Sequence, residues 1–144
     1  MSLVLDSSAT LARLWEDETT DAVRQLFELI RDRGAWVPSL WRLEVANALE
    51  MDLRRGRHVA EFRGGALADL ALLPIKIDPE TDRHAWYSTL WLAGRHRLTL
   101  YAAAYLELAL RRQLPLATLD RQLRIAAEDE GIELLGVLAG FPTG

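Results

Sequence analysis

Cysteine is absent from all 144 positions. That absence removes disulfide scaffolds, thiol nucleophiles and thiolate zinc or iron–sulfur centres. Lysine is nearly absent: Lys76 is the only one, and every other basic chain is arginine, histidines aside. Arginine suits bidentate carboxylate and phosphate contacts, although a coding sequence rich in G and C produces the same bias and is the simpler explanation. No apolar run approaches the roughly 20 residues needed to span a bilayer. The opening MSLVLDSSAT lacks a basic segment followed by a long apolar one, so no signal peptide is expected. There is no Gly-x-Gly-x-x-Gly or Walker-type loop to support a dinucleotide or nucleoside triphosphate cofactor. His58, His84 and His96 show neither His-x-x-x-His nor Glu-x-x-His spacing, which argues against zinc and leaves them as surface or helix-end residues. The expectation that remains is a cytoplasmic protein with no membrane partner.

What is present is enough for one ordinary domain. Half of the residues are apolar and 26% are charged, a mixture that can bury a core. The formal charge of −4 makes a general polyanion sponge an unsuitable reading. Short apolar runs alternate with longer amphipathic stretches. Leu3 to Leu5, Ala35 to Val37, Pro74 to Ile77, Leu114 to Ala117 and Ile132 to Leu135 read as strands. Between them, helices are expected after Ser7-Ser8, over Thr19 to Arg33, from a Ser39 cap to Arg55, over about His58 to Leu73, from Thr81 or Asp82 to about Arg97, over Tyr101 to Arg112, and from Asp120 to Glu130. Gly64-Gly65 is a weak point inside the fourth of these. Five strands separated by helices call for right-handed crossovers. The expected architecture is a three-layer α/β/α sandwich around a central, mainly parallel, five-stranded sheet. Residues 1–140 form the expected single domain and 141–144 a flexible tail, with fraying from about Gly136.

In an open parallel sheet, ligands bind beyond the carboxyl ends of the strands, where strand order reverses. Asp6 directly follows the first strand, Asp120 stands just beyond the fourth, and Glu44 lies in the first turns of the helix after the second. Distant in sequence, the three can converge in space. Converging carboxylates repel one another, and a hard divalent cation such as Mg²⁺ or Mn²⁺ relieves that repulsion. Such an ion can activate water and stabilise phosphoryl charge, which makes phosphodiester hydrolysis the natural chemistry. A competing reading applies to each acid alone: Asp6 and Asp120 as helix caps, and Glu44 as a surface partner of Arg42 or Asn47.

Four stretches carry a resemblance: Leu3-Val-Leu-Asp6-Ser-Ser-Ala, Pro38-Ser-Leu-Trp-Arg-Leu-Glu44-Val-Ala-Asn47-Ala-Leu, Leu98-Thr-Leu-Tyr101-Ala-Ala-Ala-Tyr105-Leu-Glu-Leu-Ala, and Ala117-Thr118-Leu-Asp120-Arg-Gln-Leu. In order and spacing the chain resembles the PIN-domain nucleases, and among them the VapC-type toxins of toxin–antitoxin pairs. The resemblance implies a PIN fold, a metal-dependent endoribonuclease activity using Mg²⁺ or Mn²⁺, and a homodimer. It also implies an RNA substrate, transfer RNA being one candidate, and a cognate antitoxin protein whose C-terminal segment occupies the active groove. Carried over by position, Asp6, Glu44 and Asp120 are the catalytic, metal-binding acids. Ser7 and Thr118 are supporting polar groups, and Asn47 supports them from further out. Trp15 and Phe27 are candidates for lining the antitoxin groove.

The departure from the family pattern lies at Tyr101-Ala102-Ala103, where the family reads Tyr-Asp-Ala. Ala102 has no metal-binding or proton-accepting atom and marks the position of a missing fourth acid. Glu107 sits five residues on and faces elsewhere on the helix. Asp78 and Asp82 precede a different helix. Either the lineage has lost this acid or an aspartate has been replaced deliberately, and the otherwise intact motif favours the second. In either case the chain is expected to cleave RNA poorly. The alternative class is a catalytically inactive PIN domain that binds RNA or an antitoxin. The clusters Arg54-Arg55-Gly56-Arg57 and Arg111-Arg112 are expected at helix ends, where cations favour the dipole, with phosphate contact as the second reading. Trp86 and Trp91 are expected on one amphipathic helix.

Overall fold

The computed structural model describes residues 1–137. Five strands are present: β1 (Val4–Leu5), β2 (Ala35–Val37), β3 (Ile75–Ile77), β4 (Leu116–Ala117) and β5 (Leu134–Leu135). All neighbouring pairs are parallel, in the order β3-β2-β1-β4-β5. The chain therefore builds outward in one direction from β1 and then returns to build in the other. The reversal falls between β1 and β4, and the fold is the expected three-layer α/β/α sandwich. Both strands at the reversal are fully buried, as strands covered on two faces must be.

Eight helices connect them: α1 (Ser7–Leu14), α2 (Asp21–Arg33), α3 (Trp41–Arg54), α4 (Ala60–Ala71), α5 (Thr81–His84), α6 (Ser88–His96), α7 (Leu100–Arg112) and α8 (Arg121–Asp129), among the described residues. A single 3-10 turn (Glu16–Glu18) separates α1 from α2. Packing divides the helices into two groups. The first is α1 with α2 and α3, and α3 with α4; the second is α7 with α6 and α8. The helix α2 shows why periodicity is a sound guide: Val23, Leu26, Phe27 and Ile30 are all buried on one stripe, and Thr20 caps Val23 N. Phe27 is 1% exposed and belongs to the core, and it also lines a surface pocket with Leu14, Leu70 and Leu72. The lone lysine, Lys76, points outward from the middle of edge strand β3, where a charge discourages pairing with another chain.

Three sequence expectations are corrected. Ser39 does not cap α3: its backbone N–H donates to Thr81 Oγ1 at 3.1 Å, and Leu40 occupies the cap position without a side-chain bond. The expected helix from Thr81 to Arg97 is two, because Ala85 to Tyr87 form a turn. Trp86 therefore lies between helices, with Trp91 alone on α6. Gly136 is buried against Thr118 and Leu119 at φ +100°, so the chain is still packed there. The expected tail, residues 141–144, lies outside the described residues.

Glycine has opposite meanings at two places. At Gly34 (φ +76°) an added Cβ would stand 3.0 Å from the Pro74 carbonyl oxygen, at the crossing from α2 into β2. Gly64 and Gly65 have ordinary helical backbone, and an added Cβ meets nothing within 4 Å. Alanine at position 64 or 65 is expected to raise the unfolding free energy by about 0.5–1 kcal/mol each, while Gly34→Ala lowers it. Urea denaturation midpoints check the signs.

Candidate active site

Asp6 and Asp120 flank the strand reversal. Asp6 leaves β1 and caps α1, its Oδ1 accepting from Ala9 N at 3.0 Å. Asp120 follows β4 and caps α8 in the same manner, accepting from Leu123 N at 2.9 Å. The capping reading is therefore correct for both, and capping is also what fixes the two carboxylates at this edge. Thr118, fully buried, joins them: its hydroxyl donates to Asp6 Oδ2 at 2.6 Å and accepts from the Asp120 N–H at 3.0 Å. Because Thr118 directly follows β4 and Asp6 directly follows β1, this one side chain ties the two strands together beyond the sheet.

The second serine, not the first, supports Asp6. Ser8 Oγ donates to Asp6 Oδ1 at 2.7 Å and accepts from Leu119 N at 2.9 Å. Ser7 instead lies beside the Tyr105 hydroxyl. Asn47, one turn beyond Glu44, is exposed and makes no side-chain hydrogen bond among the described residues.

Glu44 reaches this edge by a different route. The Trp41 indole N–H donates to Thr10 Oγ1 at 3.0 Å, and that hydroxyl donates to the Asp6 carbonyl at 2.7 Å. This relay locks α3 to α1 and sets the height of Glu44, one turn after Trp41. The carboxylate pairs with neither Arg42 nor Asn47; Tyr105 donates its phenol to Glu44 Oε1 at 2.5 Å. Ala102 lies one turn before Tyr105, its N–H donating to the Thr99 cap at 3.1 Å. An acid at position 102 would thus stand in the first turn of α7, where the helix dipole favours negative charge.

Neither neighbouring acid fills the gap. Glu107 is paired with Arg111 at 2.7 Å. Asp78 is buried and held by Arg111 at 2.7 Å and Arg112 at 3.0 Å. Burial alone would raise Asp78, but the hydrogen bonds from Arg111, Arg112 and Thr81 hold it at about 2. Arg111 and Arg112 are therefore spent inside the fold, Arg112 also stacking over Trp36 at 3.6 Å. Of the histidines, His84 and His96 end their helices and His96 bonds Glu130 at 2.6 Å, while His58 stacks on Phe62.

Sequence reasoning missed three groups: Ser8, Tyr105 and Arg124. Tyr105 carried a signal, being three residues after position 102 on the same face of a helix. Arg124 is 5% exposed, donates to the Thr118 carbonyl at 2.5 Å and to the Leu135 carbonyl at 3.1 Å, and so pins the ends of β4 and β5. Burial lowers its pKa, opposed by the charges of Glu128 and Asp6. Burial likewise pushes Asp6 up from 3.8 to about 6 against the hydrogen bonds from Thr118, Ala9 and Ser8, with Asp120 adding repulsion. Tyr105 is raised above the ordinary phenol range by burial first and then by Glu44, so it remains a donor.

A family model described as PIN domain matches residues 3–129. The chain belongs to the PIN domain family. A search of curated proteins finds no match. Among solved structures, this PIN domain is similar to the crystal structure of PAE2754 from Pyrobaculum aerophilum, with 25% identity and a TM-score of 0.60 over 93% of this chain and 92% of that one. PIN domains are in general metal-dependent nucleases and typically act on RNA. No helix among the described residues of this one is long and apolar enough to cross a membrane.

Among the described residues no three His, Asp or Glu side chains stand close enough together to share one ion. The oxygen-only donors at this edge suit a different arrangement. Mg²⁺ is commonly held by one or two carboxylates, with water and substrate phosphate completing its shell.

The raised pKa of Asp6 has a measurable sign. The folded state prefers the protonated acid, so this contribution to stability is fully present below 3.8 and is lost as pH rises through about 6. Asp78 acts in the opposite sense, its contribution being lost only as pH falls toward about 2, below that window. In buffer containing a chelator, Asp6→Asn is expected to flatten the fall in unfolding free energy between pH 4 and pH 7 by on the order of 3 kcal/mol. Denaturant titrations at both pH values check it, and an unchanged slope contradicts the assignment.

Proposed function

We propose that this PIN domain is a divalent-metal-dependent endoribonuclease toxin of a toxin–antitoxin module, impaired in its present sequence by Ala102. The observation that carries the reading is the Asp6–Thr118–Asp120 bridge across the strand reversal, with Glu44 brought to the same edge on α3. Mg²⁺ or Mn²⁺, when bound, supplies a nucleophilic water and stabilises charge on the scissile phosphate. Asp6 and Asp120, joined through Thr118, are the residues to hold it first, with Glu44 as the third acid that the family pattern brings to the ion. The Thr118 and Ser8 hydroxyls fix Asp6, and Tyr105 turns Glu44. Arg124 places a buried cation behind the acids. A cognate antitoxin and a homodimeric state, which rest on the family resemblance, and a cytoplasmic setting, which rests on the sequence, complete the reading.

The second reading, an inactive PIN domain that binds RNA or antitoxin without cutting, is favoured by one observation. With a methyl at position 102, no three acids stand together.

A paired cleavage assay separates the two. This chain and its Ala102→Asp version are compared on total transfer and ribosomal RNA, with Mg²⁺, with Mn²⁺ and with chelator. Chelator-sensitive cleavage by Ala102→Asp, exceeding that of the present chain by about a hundredfold or more, is the expected result; a missing charge stabiliser commonly costs that much. If both folded proteins leave RNA intact, the binding-module reading replaces the nuclease.

A further inference from the structure

Tyr105 is an aromatic of the apolar core whose polar end reaches the candidate site. Its ring belongs to the apolar core, and the residue is 2% exposed, on a helix whose other buried residues are aliphatic except for Glu107. Phenylalanine would fill that space equally well, and a buried phenol must find a partner. The partner here is a carboxylate on another helix, Glu44 Oε1 of α3 at 2.5 Å. Glu44 Oε2 makes no hydrogen bond among the described residues. A glutamate on a half-exposed helix face normally samples several rotamers, and ordering it costs entropy. A phenol locked in the core removes that freedom, fixing one oxygen and leaving the other available.

We propose that Tyr105 is a positioning residue for Glu44, holding its carboxylate ready to ligate a divalent cation at the β1–β4 edge. The proposal rests on the nuclease reading of that edge and adds the device that orders one of its ligands. Tyr105 touches no substrate; it acts through Glu44. Its place one turn beyond Ala102 brings the same face of α7 to the site twice, once at position 102 and once at the phenol.

The test uses the full chain and Mn²⁺ as the probe, with free Mn²⁺ followed by electron paramagnetic resonance. Four proteins are titrated: the parent, Tyr105→Phe, Glu44→Gln and, as a control on the exposed surface, Tyr87→Phe. Loss of a group that orients a metal ligand typically weakens binding by 10–100-fold, so Tyr105→Phe is expected to raise the Mn²⁺ dissociation constant about tenfold. Glu44→Gln is expected to do at least as much, and Tyr87→Phe nothing. Circular dichroism and urea midpoints confirm that each variant is folded. Tyr105→Phe binding within about twofold of the parent, or more tightly, while Glu44→Gln loses the ion, overturns the positioning role alone. If Glu44→Gln binds as the parent does, Glu44 is no ligand, and the site reading falls together with this proposal. The same comparison in the Ala102→Asp chain serves if the parent binds too weakly, and no binding there overturns both. In that chain Tyr105→Phe is also expected to lower kcat for RNA cleavage while leaving KM unchanged, a split that a general loss of packing would not give.

Discussion

A carboxylate at the end of the central strand, removed almost wholly from water, governs the architecture around it. Asp6 is 4% exposed, and an anion in that position costs several kcal/mol unless donors surround it. The fold supplies three: the α1 backbone through Ala9, the Ser8 hydroxyl and the Thr118 hydroxyl. Each donor belongs to an element that must be in place for the bond to form. Satisfying Asp6 therefore fixes the start of α1 and draws β4 against β1. Through the Asp6 carbonyl, Thr10 and Trp41, it also fixes α3. The same constraint that stabilises the strand reversal assembles the acids there.

The donors leave Asp6 with a pKa near 6, which marks the site as short of positive charge. A carboxylate that holds its proton up to about pH 6 is one that a cation would relieve, and Asp120 nearby strengthens the demand. Arg124 supplies some compensation from within the core. The buried acids Asp78 and Glu107 are not left in this state: they are matched directly by Arg111 and Arg112. The contrast between the matched acids beside Arg111 and Arg112 and the unmatched Asp6 is the electrostatic case for function at the β1–β4 edge.

Most of the frame was legible in the sequence because short, doubly buried strands leave continuous apolar runs, and α2 leaves a clean helical period. Legibility failed where tertiary contacts override local signals. Ser39 looks like a cap but is claimed by Thr81, and the apolar pattern from Thr81 to Arg97 hides a turn at Ala85 to Tyr87. Asp6, Glu44 and Asp120 were readable as strand-end and helix-start acids. Their supports were less so: Ser7 and Ser8 are adjacent and chemically identical, and only the helix phase decides which one meets Asp6. Tyr105 reads as a core residue until the fold puts Glu44 of α3 before its hydroxyl.

The claim on which the rest depends is that the edge between β1 and β4 binds a divalent ion. Anomalous diffraction from crystals of the Ala102→Asp chain grown with Mn²⁺ tests it directly. The account predicts an anomalous peak beyond Thr118, within coordination distance of Asp6 and Asp120 and facing Glu44. A well-ordered edge with no peak at saturating Mn²⁺, or a peak at another site in a chain that still cleaves RNA, would contradict it.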